Sequence, residues 1–276
     1  MLVEMGKIVM LIMFLLAAMS VSAREDYYTL VDSAEFYIGG HEWEKAENFI
    51  QRALRVEPDN QNTSLLLSNL ATVQRYQGRY QEALKNYTVA LFMTPNAVTL
   101  LKNRASLYLD MDSIDKAYSD YCKVVELDGN DIEALYNSGI LALEKKQMEA
   151  SEASFQRIKD ISPNSYFAYN GFAMWNKANG NYAKAIENYS VIIKERPSVN
   201  ALANRAECYL ELKQLNNAEA DIKSALGTDP RNGFLYLLRA KLNKLRFESD
   251  AARRDAEIAM EYGVEESVVR AFFNKD

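Results

Sequence analysis

Proline and glycine are scarce, at five and eleven in a chain of 276 residues. That is too little material for the many tight turns of an all-β fold, so an all-α chain is the expectation. Cys122 and Cys208 are the only cysteines, which excludes a disulfide framework. Histidine occurs once, as His41, and its neighbours Glu42, Trp43, Glu44 and Lys45 do not complete a His-Glu-x-x-His metal site. Ser/His triads with evident partners and phosphate-cradling glycine loops are missing as well. Acidic pairs such as Glu44/Glu47 and Glu265/Glu266 read as solvated helix faces. The expectation is therefore a protein that is not an enzyme, with no catalytic residue, no metal ligand and no cofactor. Positive charge is also short: the formal net charge is -6, and no cluster of Lys and Arg stands against it. An acidic surface repels phosphate and anionic lipid, so nucleic acid and membrane surfaces are not expected as partners.

Long apolar runs are confined to one place. Lys7 precedes a run from Ile8 to Met19, followed by the small residues Ser20, Ser22 and Ala23 and then by Arg24, Glu25 and Asp26. The run is short for a bilayer span and is built like a secretory signal. Residues 1–23 are read as a cleaved signal peptide and 24–26 as a leader to the mature chain, with an uncleaved anchor as the competing reading. Export to a periplasmic or extracellular space follows, with no membrane insertion after cleavage. No Cys follows the cleavage site, which argues against a lipoprotein.

The prolines carry the organisation. Pro58, Pro95, Pro163, Pro197 and Pro230 lie 37, 68, 34 and 33 residues apart, one period of about 34 skipped once. Counting Pro as the thirty-second residue places unit starts at Tyr27, Ser64, Val98, Ile132, Tyr166, Val199 and Gly233. The eighth residue is then Ala34, Ala71, Ala105, Gly139, Ala173, Ala206 and Ala240. The twentieth is Ala46, Ala83, Ala117, Ser151, Ala185, Ala218 and Ala252. Small residues at two fixed places let two helices cross closely, with larger residues around the crossing. Leu67, Leu70, Ala71 and Gln74, then Ala83, Tyr87 and Ala90, have the spacing of two amphipathic helices. Gly78, Gly180 and the Gly39/Gly40 pair mark the turn inside a unit. This register puts Cys122 and Cys208 on different helices, two to three units apart, which speaks against a bond between them.

The pattern resembles the tetratricopeptide repeat over roughly residues 27–266. In the fifth unit Tyr169, Phe172, Ala173, Gly180, Tyr182, Ala185, Tyr189, Ile192 and Pro197 all fall at signature places. Gly129 and Val264 stand where proline belongs, three residues are inserted near Gln61, and the seventh unit has Asn243 and Ala256 in place of aromatics. The resemblance implies an all-α, right-handed superhelical solenoid of about seven helix-turn-helix units. Residues 267–276, with Val268, Val269, Phe272 and Phe273, are expected to cap it as a short helix.

The resemblance also implies a concave groove walled by first helices, binding a segment of an unidentified protein or peptide. Asparagines recur at its sixth position, as Asn69, Asn103, Asn137 and Asn204, and Asn170 stands beside that row. Tyr28, Val31, Tyr136, Phe167, Met174 and Phe234 project from the same wall. A peptide-binding set of Asn69, Asn103, Tyr136, Asn137, Phe167, Asn170, Met174 and Asn204 follows, with amides for a partner's backbone and aromatics as anchors. Two readings of the asparagines stand: a ladder for a ligand, or bonds to neighbouring helices. The carboxylate clamp of chaperone-binding relatives is broken, since Lys102 and Asn137 are followed by Phe167 and Gly171. A structural subunit that assembles through its convex face or C-terminal end is the alternative function.

Overall fold

The computed structural model describes residues 26–273, with side chains as far as Ala271. The signal-peptide reading of residues 1–23 lies outside the described residues. Fifteen helices and no strand occur among those described. Seven hairpins follow one another: α1 (Tyr27–Gly39) with α2 (Trp43–Val56), α3 (Thr63–Tyr76) with α4 (Tyr80–Met93), and α5 (Val98–Asp110) with α6 (Ile114–Leu127). Next come α7 (Ile132–Glu144) with α8 (Met148–Ile161), α9 (Tyr166–Ala178) with α10 (Tyr182–Glu195), and α11 (Val199–Glu211) with α12 (Leu215–Thr228). The last hairpin is α13 (Gly233–Leu245) with α14 (Ser249–Glu261), followed by α15 (Glu266–Phe273). The second hairpin opens at Thr63, one residue ahead of Ser64. No described helix is long and apolar enough to cross a membrane.

Local chemistry sets the helix ends. The side chains of Asp26, Asp131, Ser165, Ser198 and Asn232 each accept from a backbone N–H in the first turn of a first helix. Inside every hairpin the fifteenth residue is left-handed: His41, Gly78, Asp112, Lys146, Gly180, Lys213 and Phe247, with φ from 53° to 75°. The next N–H reaches back five residues, as from Glu42 to Tyr37 at 2.9 Å and from Asn181 to Asn176 at 2.8 Å, closing the orphan carbonyls of the helix end. In the first unit this place belongs to His41, not to the Gly39/Gly40 pair, because distance from the helix end selects it.

The chain divides into two compact bodies, one ending at Asp120 and one beginning at Tyr121, so α6 is shared. In the first, Leu30, Ala34, Ala46, Ile50, Leu66 and Val73 are part of a continuous core. In the second, Ala173, Ala185, Tyr189 and Cys208 pack together, as do Ala206, Ala218, Ile222 and Leu242. Every residue at positions eight and twenty is buried, so the crossings are as close as small side chains allow. At the C-terminal end Val269 of α15 packs on Leu237, Ala240, Ala256 and Ala259, while Val268 is exposed.

Arginine and aspartate sixteen residues apart, at equivalent places in the repeat, tie three hairpins. Arg205 Nε and Nη2 donate to Asp221 at 2.8 and 2.7 Å, and Arg104 does the same to Asp120 at 2.7 and 2.8 Å. Arg239 grips Asp255 at 2.9 and 2.6 Å. All three aspartates are buried. A buried carboxylate is tolerable only when paired, and the flat guanidinium fork satisfies both of its oxygens.

Candidate binding face of the first helices

In the second body the predicted residues of α7 and α9 meet. Tyr136 and Phe167 form an edge-to-face pair with centroids 5.0 Å apart, and Tyr166 packs edge-on to Phe167 at 5.8 Å. Asn170 donates its side-chain amide to the Tyr136 hydroxyl and lies 3.7 Å from the Met174 sulfur. Burial raises the Tyr136 hydroxyl pKa above that of an ordinary tyrosine, and the Asn170 bond pulls the other way. Tyr166 and Phe167 remain exposed, at 52% and 39%. The cluster therefore presents aromatic edges at the surface over a bonded floor.

The fifth unit has Gly171 where its neighbours have asparagine, and the reason is steric. Phe155 of α8 points at this backbone, and a Cβ on Gly171 would lie 2.4 Å from its ring. Gly139 lies against the same ring, where a Cβ would be 2.6 Å away.

The asparagines divide by partner. Asn204 donates to the Asn200 carbonyl at 2.9 Å and accepts from Lys177 Nζ at 2.8 Å. In the first body Asn103 reaches Ser68 Oγ at 3.5 Å. Asn69 and Asn137 are half-buried. Asn170 and Asn204 thus carry bonds to neighbouring units, the second of the two readings. Tyr28 and Phe234 are exposed and Val31 is half-buried.

Charges on this face are paired from one first helix to the next. Lys177 of α9 bonds to Glu207 of α11, and Lys241 of α13 to Glu211 of α11. In the first body Arg75 of α3 holds Asp110 of α5 at 2.5 Å. Beneath the face Tyr189 is fully buried, and its hydroxyl makes no hydrogen bond among the described residues. At the same place in the second unit, Tyr87 shares a 2.7 Å bond with Thr72 Oγ1. The corresponding residue of the fifth unit is Met174, which offers no hydroxyl. Cys208 lies in the same layer, and burial pushes its thiol pKa up to about 12.

Comparison with known proteins agrees with this architecture. Models of the tetratricopeptide repeat match residues 27–93, 68–132 together with 177–233, and 132–165. A crystal structure of a tetratricopeptide repeat protein from Parabacteroides merdae is 31% identical with a TM-score of 0.77, covering 89% of this chain and 96% of that one. Human mitochondrial import receptor subunit TOM34 is 25% identical over 69% of this chain and 77% of its own length. Human protein O-mannosyl-transferase TMTC3 is 28% identical over 63% of this chain, which spans only 19% of that protein. With the hairpins, the small-residue crossings and these matches together, the chain belongs to the tetratricopeptide repeat family, whose members are protein-interaction scaffolds.

Proposed function

We propose that the protein is an exported scaffold that binds an extended peptide segment of another protein on the first-helix face around Tyr136 and Phe167. The observation that carries the reading is the aromatic cluster of α7 and α9, whose exposed edges sit beside side-chain amides and whose neighbouring charges are already paired. Aromatic anchors supply much of the energy of such contacts. The half-buried amide of Asn137 can donate to and accept from a backbone at once. A face of exposed aromatic edges, with the neighbouring Lys177 already bonded to Glu207, favours a segment with apolar or aromatic side chains and loose sequence preference.

The test is selection of peptides from a displayed library against the chain beginning at Arg24, followed by titration of one selected peptide. The double change Tyr136→Ala and Phe167→Ala should weaken binding by about tenfold or more with helical content retained. Unchanged affinity would remove this face from consideration. Export rests on the apolar run and small residues of 1–23. Fused ahead of a reporter that works only outside the cytoplasm, residues 1–30 should carry it there, with a mature N-terminus at Arg24. Mass spectrometry that finds Ile8 to Met19 retained converts the reading to an anchor.

A further inference from the structure

Position twenty-nine lies near the end of each second helix and is exposed in all seven units. It is Arg55, Glu126, Asp160, Lys194 and Glu261 in five of them and Gly227 in another. In the second unit it is Phe92, 87% exposed. Val89 and Met93, on either side of it in the same helix, are 41% and 47% exposed. Lys85, Val89, Phe92 and Met93 have the i, i+4, i+7, i+8 spacing of one helix stripe, clear of the buried Ala83, Tyr87 and Ala90 of α4. Neighbouring apolar side chains left open to water on a folded helix mark a contact surface.

The border of the stripe is basic. No Asp or Glu stands between Asn48 and Val56 of α2 or between Ala83 and Met93 of α4. Arg52, Arg55 and Lys85 stand there, in a chain whose net charge is -6. Arg52 is fixed on its own helix, over the Phe49 ring at 4.7 Å and on Asn48 Oδ1 at 3.3 Å. Arg55 and Lys85 are exposed and enter no ion pair among the described residues. Glu82, a turn ahead of Lys85, is held by Arg79 at 2.8 Å, and the same guanidinium holds Glu47 of α2 at 2.6 Å. Both carboxylates are therefore taken.

We propose that this outer face of α2 and α4 docks an acidic amphipathic helix of another protein. Its apolar stripe lies on Val89, Phe92 and Met93, and its carboxylates meet Lys85 and Arg55. The stripe from Lys85 to Met93 is about 12 Å long, two turns at 1.5 Å per residue. A second helix presents ridges of the same spacing, whereas an extended strand turns its side chains over at every residue. Three apolar side chains are too few to hold a bilayer, which takes a longer apolar face or a larger basic cluster. A second copy brings no carboxylate on this face to meet Lys85 and Arg55. The site shares no residue with the first-helix face around Tyr136 and Phe167, and it stands whether or not that face binds a segment.

Selection from a displayed library of helical peptides with randomised surface positions tests this, on the full chain and with depletion on Phe92→Asp. Recovered helices should carry Asp or Glu beside an apolar stripe. One selected peptide, titrated by fluorescence anisotropy, should bind Phe92→Asp about tenfold or more weakly. The double change Lys85→Glu and Arg55→Glu should weaken it to a similar extent, about tenfold, and the same peptide with its acids replaced by Lys should prefer that double variant to the original chain. Phe92, Lys85 and Arg55 are exposed, so helical content should be retained. Tyr136→Ala with Phe167→Ala should leave this binding unchanged. A selection that returns no Phe92-dependent helix overturns the proposal, as do binders indifferent to the charge reversal. Phe92-dependent sedimentation with phosphatidylglycerol and phosphatidylcholine vesicles, or self-association that Phe92→Asp abolishes, overturns it in favour of a membrane or of a second copy.

Discussion

Replacing Arg205 by methionine removes the guanidinium that holds Asp221 and leaves a carboxylate in the core of the sixth unit. Two bonds at 2.8 and 2.7 Å are lost, together with a third to Ser190 at 2.9 Å. The two side chains are only 17% and 7% exposed, so water replaces little of what is removed. Breaking a buried pair in this way costs about 3–5 kcal/mol. Arg239 and Asp255 have the same chemistry, but Arg239 is 38% exposed. Solvent screens that pair, and the loss from Arg239→Met should be smaller, about 1–2 kcal/mol. Combining Arg205→Met with Asp221→Leu removes both charges and should cost much less than the single change, because no unpaired charge stays buried. Urea unfolding followed by far-UV circular dichroism measures all three. With a slope of about 1–3 kcal/mol per molar urea, Arg205→Met should move the midpoint by about 1 M or more. Equal losses at Arg205 and Arg239, or a double variant no more stable than Arg205→Met alone, would refute the reasoning.

Gly171→Ala separates packing from propensity: a helical glycine with room gains about 1 kcal/mol on becoming alanine, whereas here the Cβ meets the Phe155 ring. Overpacking of about 1–3 kcal/mol should prevail, and a stabilised variant in the same urea assay would contradict the contact. Cys208 should resist iodoacetamide at pH 8 in the folded chain and react on unfolding, as read by mass spectrometry, because burial holds its pKa at about 12. The folded pKa is raised, so the stability this thiol contributes is complete below its unfolded value of about 8.5. It falls as pH rises from there through 12.

The sequence by itself determined the class of fold and the repeating hairpin, because both rest on local spacing. A period of about 34 and small residues at positions eight and twenty need no knowledge of distant contacts to be read. The Arg104/Asp120, Arg205/Asp221 and Arg239/Asp255 spacing was equally present in the chain, but it becomes a bond only when a hairpin brings the two positions face to face. Tertiary structure alone decided the hydrogen-bond partners of the asparagines. Asn103 and Asn204 occupy one repeat position and have different partners, Ser68 in one case and Lys177 with Asn200 in the other. Across the unit boundary the preceding unit supplies the partner, Ser68 to Asn103 and Lys177 to Asn204. Gly171 stands outside the asparagine row for a reason located sixteen residues earlier, in the ring of Phe155. His41 takes the left-handed turn although Gly39 and Gly40 lie beside it, since distance from the helix end selects the residue before residue type does. Local pattern specifies the element, and packing between elements assigns each side chain its work.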